Sequence, residues 1–344
     1  MSSPTRVALA LGSGGARGYA HIGVLQVLEE RGYEIAVIAG SSMGALVGGL
    51  RAAGQLDAYT DWVRGLTQRD VLRLLDPSPS APGVIRAEKI MAKVRELLDG
   101  TLIEDLPIPF TAVATDLLAR KEVWFQEGPL DVAIRASIAL PSIITPVMLN
   151  GRLLADGGIM NPVPIAATVA CHADVTVAVS LAGEQLLGEG RVPAQETSAP
   201  RPTEEWAERF RRSASHVLDR ELTRSFMERF AEARGRGADG RAPRVPEVLP
   251  EEVFGTLPPG LRTLDVMQMS LEVLQGMVLR YRMAGYPPDL LISVPKRAGR
   301  LLDFHRAGEL IDLGRRLTEE ALDRADEFPP ARPRTADPGA GETF

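Results

Sequence analysis

Cysteine is all but missing from this 344-residue chain. Cys171 stands alone, which excludes an internal disulfide and any zinc or iron–sulfur centre built on several thiolates. Without a partner it reads as a small buried hydrophobe. Histidine is scarce as well, at four residues: His21, His172, His216 and His305. Lysine is confined to Lys89, Lys93, Lys121 and Lys296, and 39 basic against 45 acidic residues leave a net charge of -6. A chain with that balance has no basic surplus to offer nucleic acid. No run of 18 apolar residues occurs, so no transmembrane helix is expected. Residues 7–11 are too short an apolar stretch for the core of a signal peptide. These absences favour a cytoplasmic protein and leave peripheral membrane contact open.

What is present is ordinary globular material, 45% apolar and 24% charged, enough for a sizeable core. Residues 7–11 (VALAL) end at Gly12 and read as a buried strand. After a glycine-rich turn, residues 20–31 carry Ile22, Val24, Leu25 and Leu28 at helical spacing and stop at Gly32. Residues 35–39 (IAVIA) form a second apolar run into the turn at 40–44, and a small-residue helix follows at 45–53. Strand, turn, helix, repeated, predicts a sheet that is at least partly parallel and covered on both faces. Further strands are expected at 110–115, 122–125, 152–155, 175–181 and 290–294, and helices at 130–139, 165–171 and 307–324.

The rhythm breaks after residue 183. Residues 185–202 and 235–259 are rich in Gly, Pro, Ala and Glu and read as linkers. Between them, residues 203–234 place Trp206, Phe210, Phe226 and Phe230 among many charges, broadly on one side of an amphipathic helix. Such a helix packs on the catalytic domain, dimerises, or serves as a lid at a lipid surface. Residues 328–344 hold too little apolar surface to fold and are expected to be disordered.

Three motifs carry chemistry. Gly40-Ser41-Ser42-Met43-Gly44 is a G-x-S-x-G sequence between an expected strand and an expected helix, the context of a nucleophile elbow. Ser42 would then sit at a helix N-terminus, where N–H groups favour developing negative charge; the plain alternative is a glycine turn with Ser41 or Ser42 as N-cap. Residues 12–18, GSGGARG, follow the first strand. They lack the spacing and the acidic partner of a dinucleotide site and the lysine of a P-loop. Successive glycines can instead expose N–H groups as an oxyanion hole. Asp156-Gly157-Gly158 sets an Asp at a strand end, either as a simple turn or as a base. No histidine lies on a glycine-bounded turn after a strand, and each of the four reads as a surface or capping residue. Asp156 is thus the better-placed base, and the pattern suggests a two-residue Ser–Asp device.

GSGGARG, then GSSMG, then DGG after a strand is similar to the patatin-like phospholipase family of lipid acyl hydrolases. The similarity extends through Ala114-Thr115-Asp116, residues 135–141 (RASIALP), residues 161–164 (NPVP) and Asp303-Phe304-His305. The resemblance implies a three-layer α/β/α sandwich with a mostly parallel central sheet, to which the composition break adds a helical insertion that the resemblance does not cover. Its domains would be 5–183 (catalytic), 184–264 (the insertion), 265–327 (a helix–strand–helix completing the catalytic domain) and 328–344 (the tail). It implies Ser42 as nucleophile, Asp156 as general base, and Gly14 and Gly15 as oxyanion donors. Gly12, Arg17 and Gly18 would support the loop, and Gly40, Gly44, Gly157 and Gly158 the elbow and the Asp turn. Ser13 departs from the family's glycine there, a cost if the position needs positive φ. The implied substrate is a phospholipid or other long-chain ester, with no metal or organic cofactor. A thioesterase or acyltransferase on the same dyad, and an idle lipid-binding regulator, are the alternatives.

Overall fold

The computed structural model describes residues 4–75, 83–85, 87–183, 263–325 and 329. The chain divides into two units, Met1–Glu189 with Met267–Phe344, and Gly190–Val266. Nearly all of the second unit lies outside the described residues, including the helix expected at 203–234 and both linkers. So does the expected disordered tail, apart from Pro329, whose carbonyl accepts a hydrogen bond from Tyr33 at 3.0 Å.

The apolar runs become the centre of an eight-stranded mixed sheet. In chain order its strands are β1 (Arg6–Leu11), β2 (Glu34–Ser41), β4 (Phe110–Asp116), β5 (Lys121–Phe125), β7 (Val147–Leu149), β8 (Arg152–Asp156), β9 (Val175–Ser180) and β10 (Leu290–Ser293). Two further strands, β3 (Gly83–Ile85) and β6 (Ser142–Ile144), pair with each other. The order is β10-β9-β1-β2-β4-β8-β7. Strands β10, β9, β1, β2 and β4 are parallel neighbours, and β5, β7 and β8 pair antiparallel.

Helices cover both faces, as the α/β expectation requires. On β1 the alternation is clean: Val7, Leu9 and Leu11 join the large core with α1 (Ala20–Glu30), α2 (Met43–Ala52) and α8 (Ala307–Arg324). Ala10 points the other way, into a smaller cluster with Ala178, Val163 and Leu279 of α7 (Thr263–Gly285). Helices α3 (Leu56–Arg64) and α5 (Glu88–Leu98) extend the large core, α4 (Gln68–Leu74) packs against α5, and α6 (Leu130–Ser137) packs on β4. The helix expected at 165–171 is only a 3-10 turn, Ile165–Thr168. Pro162 and Pro164 restrict the backbone just before it, and its last bond is the short-range Cys171 N–H to Thr168 carbonyl at 3.2 Å. Cys171 itself is half-buried. No described helix is long and apolar enough to cross a membrane.

The register of β4 positions the rest. Val113 pairs with Ser41 of β2 and with Trp124 of β5; Ala114 pairs with Asp156 of β8 and with Val123 of β5. Because β5 runs past both positions, it fills one edge of β4, and β2 and β8 share the other. They approach from opposite directions, so their C-terminal ends meet on adjacent residues of β4.

Candidate active site

Ser42 stands where β2 turns into α2. Its φ of 56° and ψ of -122° lie in a region that non-glycine residues avoid. The turn is tight enough that a Cβ on Gly40 would run into the Gly44 carbonyl, and one on Gly44 into the Leu11 carbonyl. The Ser42 N–H donates to Ser137 Oγ at 2.9 Å, and that hydroxyl donates to the Val113 carbonyl at 2.6 Å. Ser41 turns inward and donates to the Asn161 carbonyl at 2.7 Å. The strained elbow is therefore tied both to β4 and to the turn that follows Asp156.

Asp156 closes β8 and is 1% exposed. Its N–H donates to the Ala139 carbonyl at 2.9 Å, and its own carbonyl accepts from Thr115 Oγ1 at 2.9 Å. The carboxylate accepts the Gly158 N–H at 2.7 Å and lines the same cavity as Ser42. Burial pushes this carboxyl up to about 6, against the lowering effect of the nearby Ser42 hydroxyl and the Gly158 N–H. It is still mainly ionised at neutral pH, and basic enough to accept a hydroxyl proton. Gly157 and Gly158 form the 3-10 turn Gly157–Ile159, with Ser13 packed over Gly158.

The glycine loop hangs beside this pair. The N–H groups of Gly12, Ser13 and Ala16 donate to the carbonyls of Val179 (3.0 Å), Pro162 (2.8 Å) and Leu301 (2.9 Å). Those of Gly14 and Gly15, between them, have no acceptor among the described residues. Gly15 has φ of 57° and Leu301 pressed against it, so a side chain fits neither its backbone nor its space. Arg17 donates from Nε to the Gly14 carbonyl at 3.2 Å and from Nη1 to the Lys296 carbonyl at 3.3 Å. Burial lowers its pKa, with Glu272 opposing. Gly18 packs against the Met43 side chain and so abuts the elbow. Ser13 is not among the positive-φ residues, so its replacement of a glycine carries no backbone strain.

Two cavities meet at Ser42. One is walled by apolar side chains that include Met43, Leu46, Trp62, Leu66, Ile138, Ile143 and Phe304. Tyr19 and Tyr59 also line it. The other is more polar and holds Ser13, Arg17, Asp156, Glu272, Gln275 and Lys296. Leu140 and Leu301 line both.

Sequence reasoning missed two residues here. Ser137 belongs to the RASIALP segment, but nothing in that string says its hydroxyl holds the elbow. His21, read as a surface or capping residue, is 0% exposed, and its Nε2 lies 2.8 Å from the Gly12 carbonyl. Among the described residues no group of three or more His, Cys, Asp or Glu stands close enough to hold a metal ion.

Over residues 9–169 the sequence matches the family described as patatin-like phospholipase. Three mycobacterial proteins named as NTE family members, one from Mycobacterium bovis and two from strains of Mycobacterium tuberculosis, are 51% identical over 341 residues. The alignment covers 94% of this chain and 92% of each relative. The human patatin-like phospholipase domain-containing protein 6 is 31% identical over 186 residues, 52% of this chain and 13% of that protein. The solved structure of VipD from Legionella pneumophila aligns with TM-score 0.43 at 13% identity, covering 93% of this chain and 67% of that one.

Proposed function

The chain belongs to the patatin-like phospholipase family, and on that premise we propose that it is a serine-dependent lipid acyl hydrolase that cleaves carboxylic esters through a Ser42–Asp156 dyad. The observation that carries this reading is that a strained, solvent-poor Ser42 and a buried Asp156 line the same polar cavity, where it meets an apolar one.

Ser42 Oγ attacks the ester carbonyl carbon while its proton passes to Asp156. The carbonyl oxygen becomes an oxyanion held by the Gly14 and Gly15 N–H groups, which have no other acceptor among the described residues and cost no rearrangement when charge develops. The intermediate collapses, and the leaving alcohol takes the proton back from Asp156. Water then attacks the acyl-enzyme, gives a proton to Asp156, and the second collapse frees the carboxylic acid and restores Ser42. The apolar cavity suits the acyl chain, and the polar one suits the alcohol portion of the substrate.

The test is labelling with a fluorophosphonate probe followed by peptide mapping. The adduct is expected on Ser42, and Ser42→Ala is expected to abolish both labelling and esterase activity while keeping the native melting temperature within a few degrees. An adduct on Ser41, or full activity in Ser42→Ala, would overturn the dyad.

A further inference from the structure

His21 lies in the first turn of α1, fully buried, and lines neither cavity at Ser42. It is therefore no candidate for the base. Its single polar contact among the described residues is the 2.8 Å approach of Nε2 to the Gly12 carbonyl. A carbonyl only accepts, so Nε2 carries the proton and Nδ1 is a bare lone pair, and Nδ1 has no donor among the described residues. Burial pushes the imidazole down to about 4, which keeps it neutral over the working range. An apolar residue would fill the same space without leaving a buried nitrogen unpaired. The bond to Gly12 is what the histidine contributes.

The carbonyl of Gly12 and the N–H of Ser13 belong to one peptide plane. His21 holds the carbonyl side and the Pro162 carbonyl holds the amide side, at 2.8 Å each. Three residues on, the Ala16 N–H is held by Leu301. The two unpaired N–H groups, of Gly14 and Gly15, lie between these fixed peptides in a glycine-rich stretch that has little conformational preference of its own. We propose that His21 is a positioning residue that locks the Gly12–Ser13 peptide and so aims the Gly14 and Gly15 N–H groups at the oxyanion. The inference rests on the dyad reading above. It adds a group that acts on the transition state through the loop and never touches substrate.

The experiment compares His21→Leu, His21→Gln and Ser42→Ala on a short-chain p-nitrophenyl ester, together with inhibition by a trifluoromethyl ketone that forms a tetrahedral adduct. Loss of the lock is expected to lower kcat in His21→Leu by about 10–100-fold, short of the 10²–10³ for removing a donor outright. KM should stay within about twofold, and ketone affinity should fall by the same factor as kcat. The Gln amide reaches about as far as imidazole Nε2 and should restore most of both losses. If the Leu variant fails to fold, His21→Asn, whose amide is too short to reach Gly12, takes its place with the same expectation. Wild-type kcat in His21→Leu beside an inactive Ser42→Ala would overturn the His21 assignment alone. So would a kcat loss without a matching loss of ketone affinity, or one that Gln does not restore. A fully active Ser42→Ala would overturn the dyad and this inference together.

Discussion

At the scale of single residues the proposed chemistry depends on one carboxyl. In that proposal Asp156 must be ionised to accept the Ser42 proton, and burial pushes its pKa up to about 6. In the free enzyme, kcat/KM should be level above pH 7 and fall about tenfold per unit below roughly pH 6. A rate profile on a soluble ester between pH 4.5 and 8 checks this, and a profile still level at pH 5 would remove Asp156 from the base position. The turns at Ser42 and Asp156 were legible because each sits in a glycine-flanked motif whose residue types report a tight turn. His21 and Ser137 were not. Their partners are backbone carbonyls, of Gly12 and Val113, and a carbonyl has no residue identity by which a sequence could announce it. Burial, which gives His21 its neutrality and Asp156 its basicity, is also a property of the packed chain and not of its local string.

At the scale of elements, the helix and strand periods placed the parallel strands β1, β2, β4, β9 and β10 and the helices α1, α2, α6 and α8 to within a few residues. They did not show which elements wall the apolar cavity. Leu56, Tyr59, Thr60 and Val63 of α3 are buried at helical spacing, yet the same spacing serves any helix packed on a core. That α3, α4 and β6 close over Ser42 is a long-range fact. It makes Ile143 of β6, half-buried on the cavity wall, a position to test acyl length. Ile143→Trp should shorten the room for the chain by about two to three methylenes, each worth about 0.8 kcal/mol. On p-nitrophenyl esters kcat/KM should then fall about 10–50-fold for chains of twelve or more carbons and stay within about twofold for acetate or butyrate. Equal losses on both would place the acyl chain elsewhere.

For the molecule as a whole, two buried groups pull stability in opposite directions with pH. Asp156 has a raised pKa in the fold, so its contribution is present below about 3.8 and is lost as pH rises through about 6. His21 has a lowered one, so its contribution is present above about 6.5 and is lost as pH falls towards about 4. Removing the first should expose the second. Asp156→Asn is expected to match the wild type near pH 4 and to become more stable across pH 4–6, by up to about 3 kcal/mol at pH 7, as measured by urea unfolding. A variant less stable than the wild type at pH 7 would contradict the burial cost assigned to this carboxyl. The meeting of β2 and β8 on one edge of β4 carries a last consequence, for the order in which the protein is made. Ser41 reaches its place across 72 residues of chain and Asp156 across 42, each against a neighbouring residue of β4. Loops of that length close slowly, and neither closure alone brings Ser42 and Asp156 together. During refolding, then, helical signal and core burial should return before any turnover does. On the proposed activity, the first hydrolysed ester would mark the moment when the second of the two strand ends has docked.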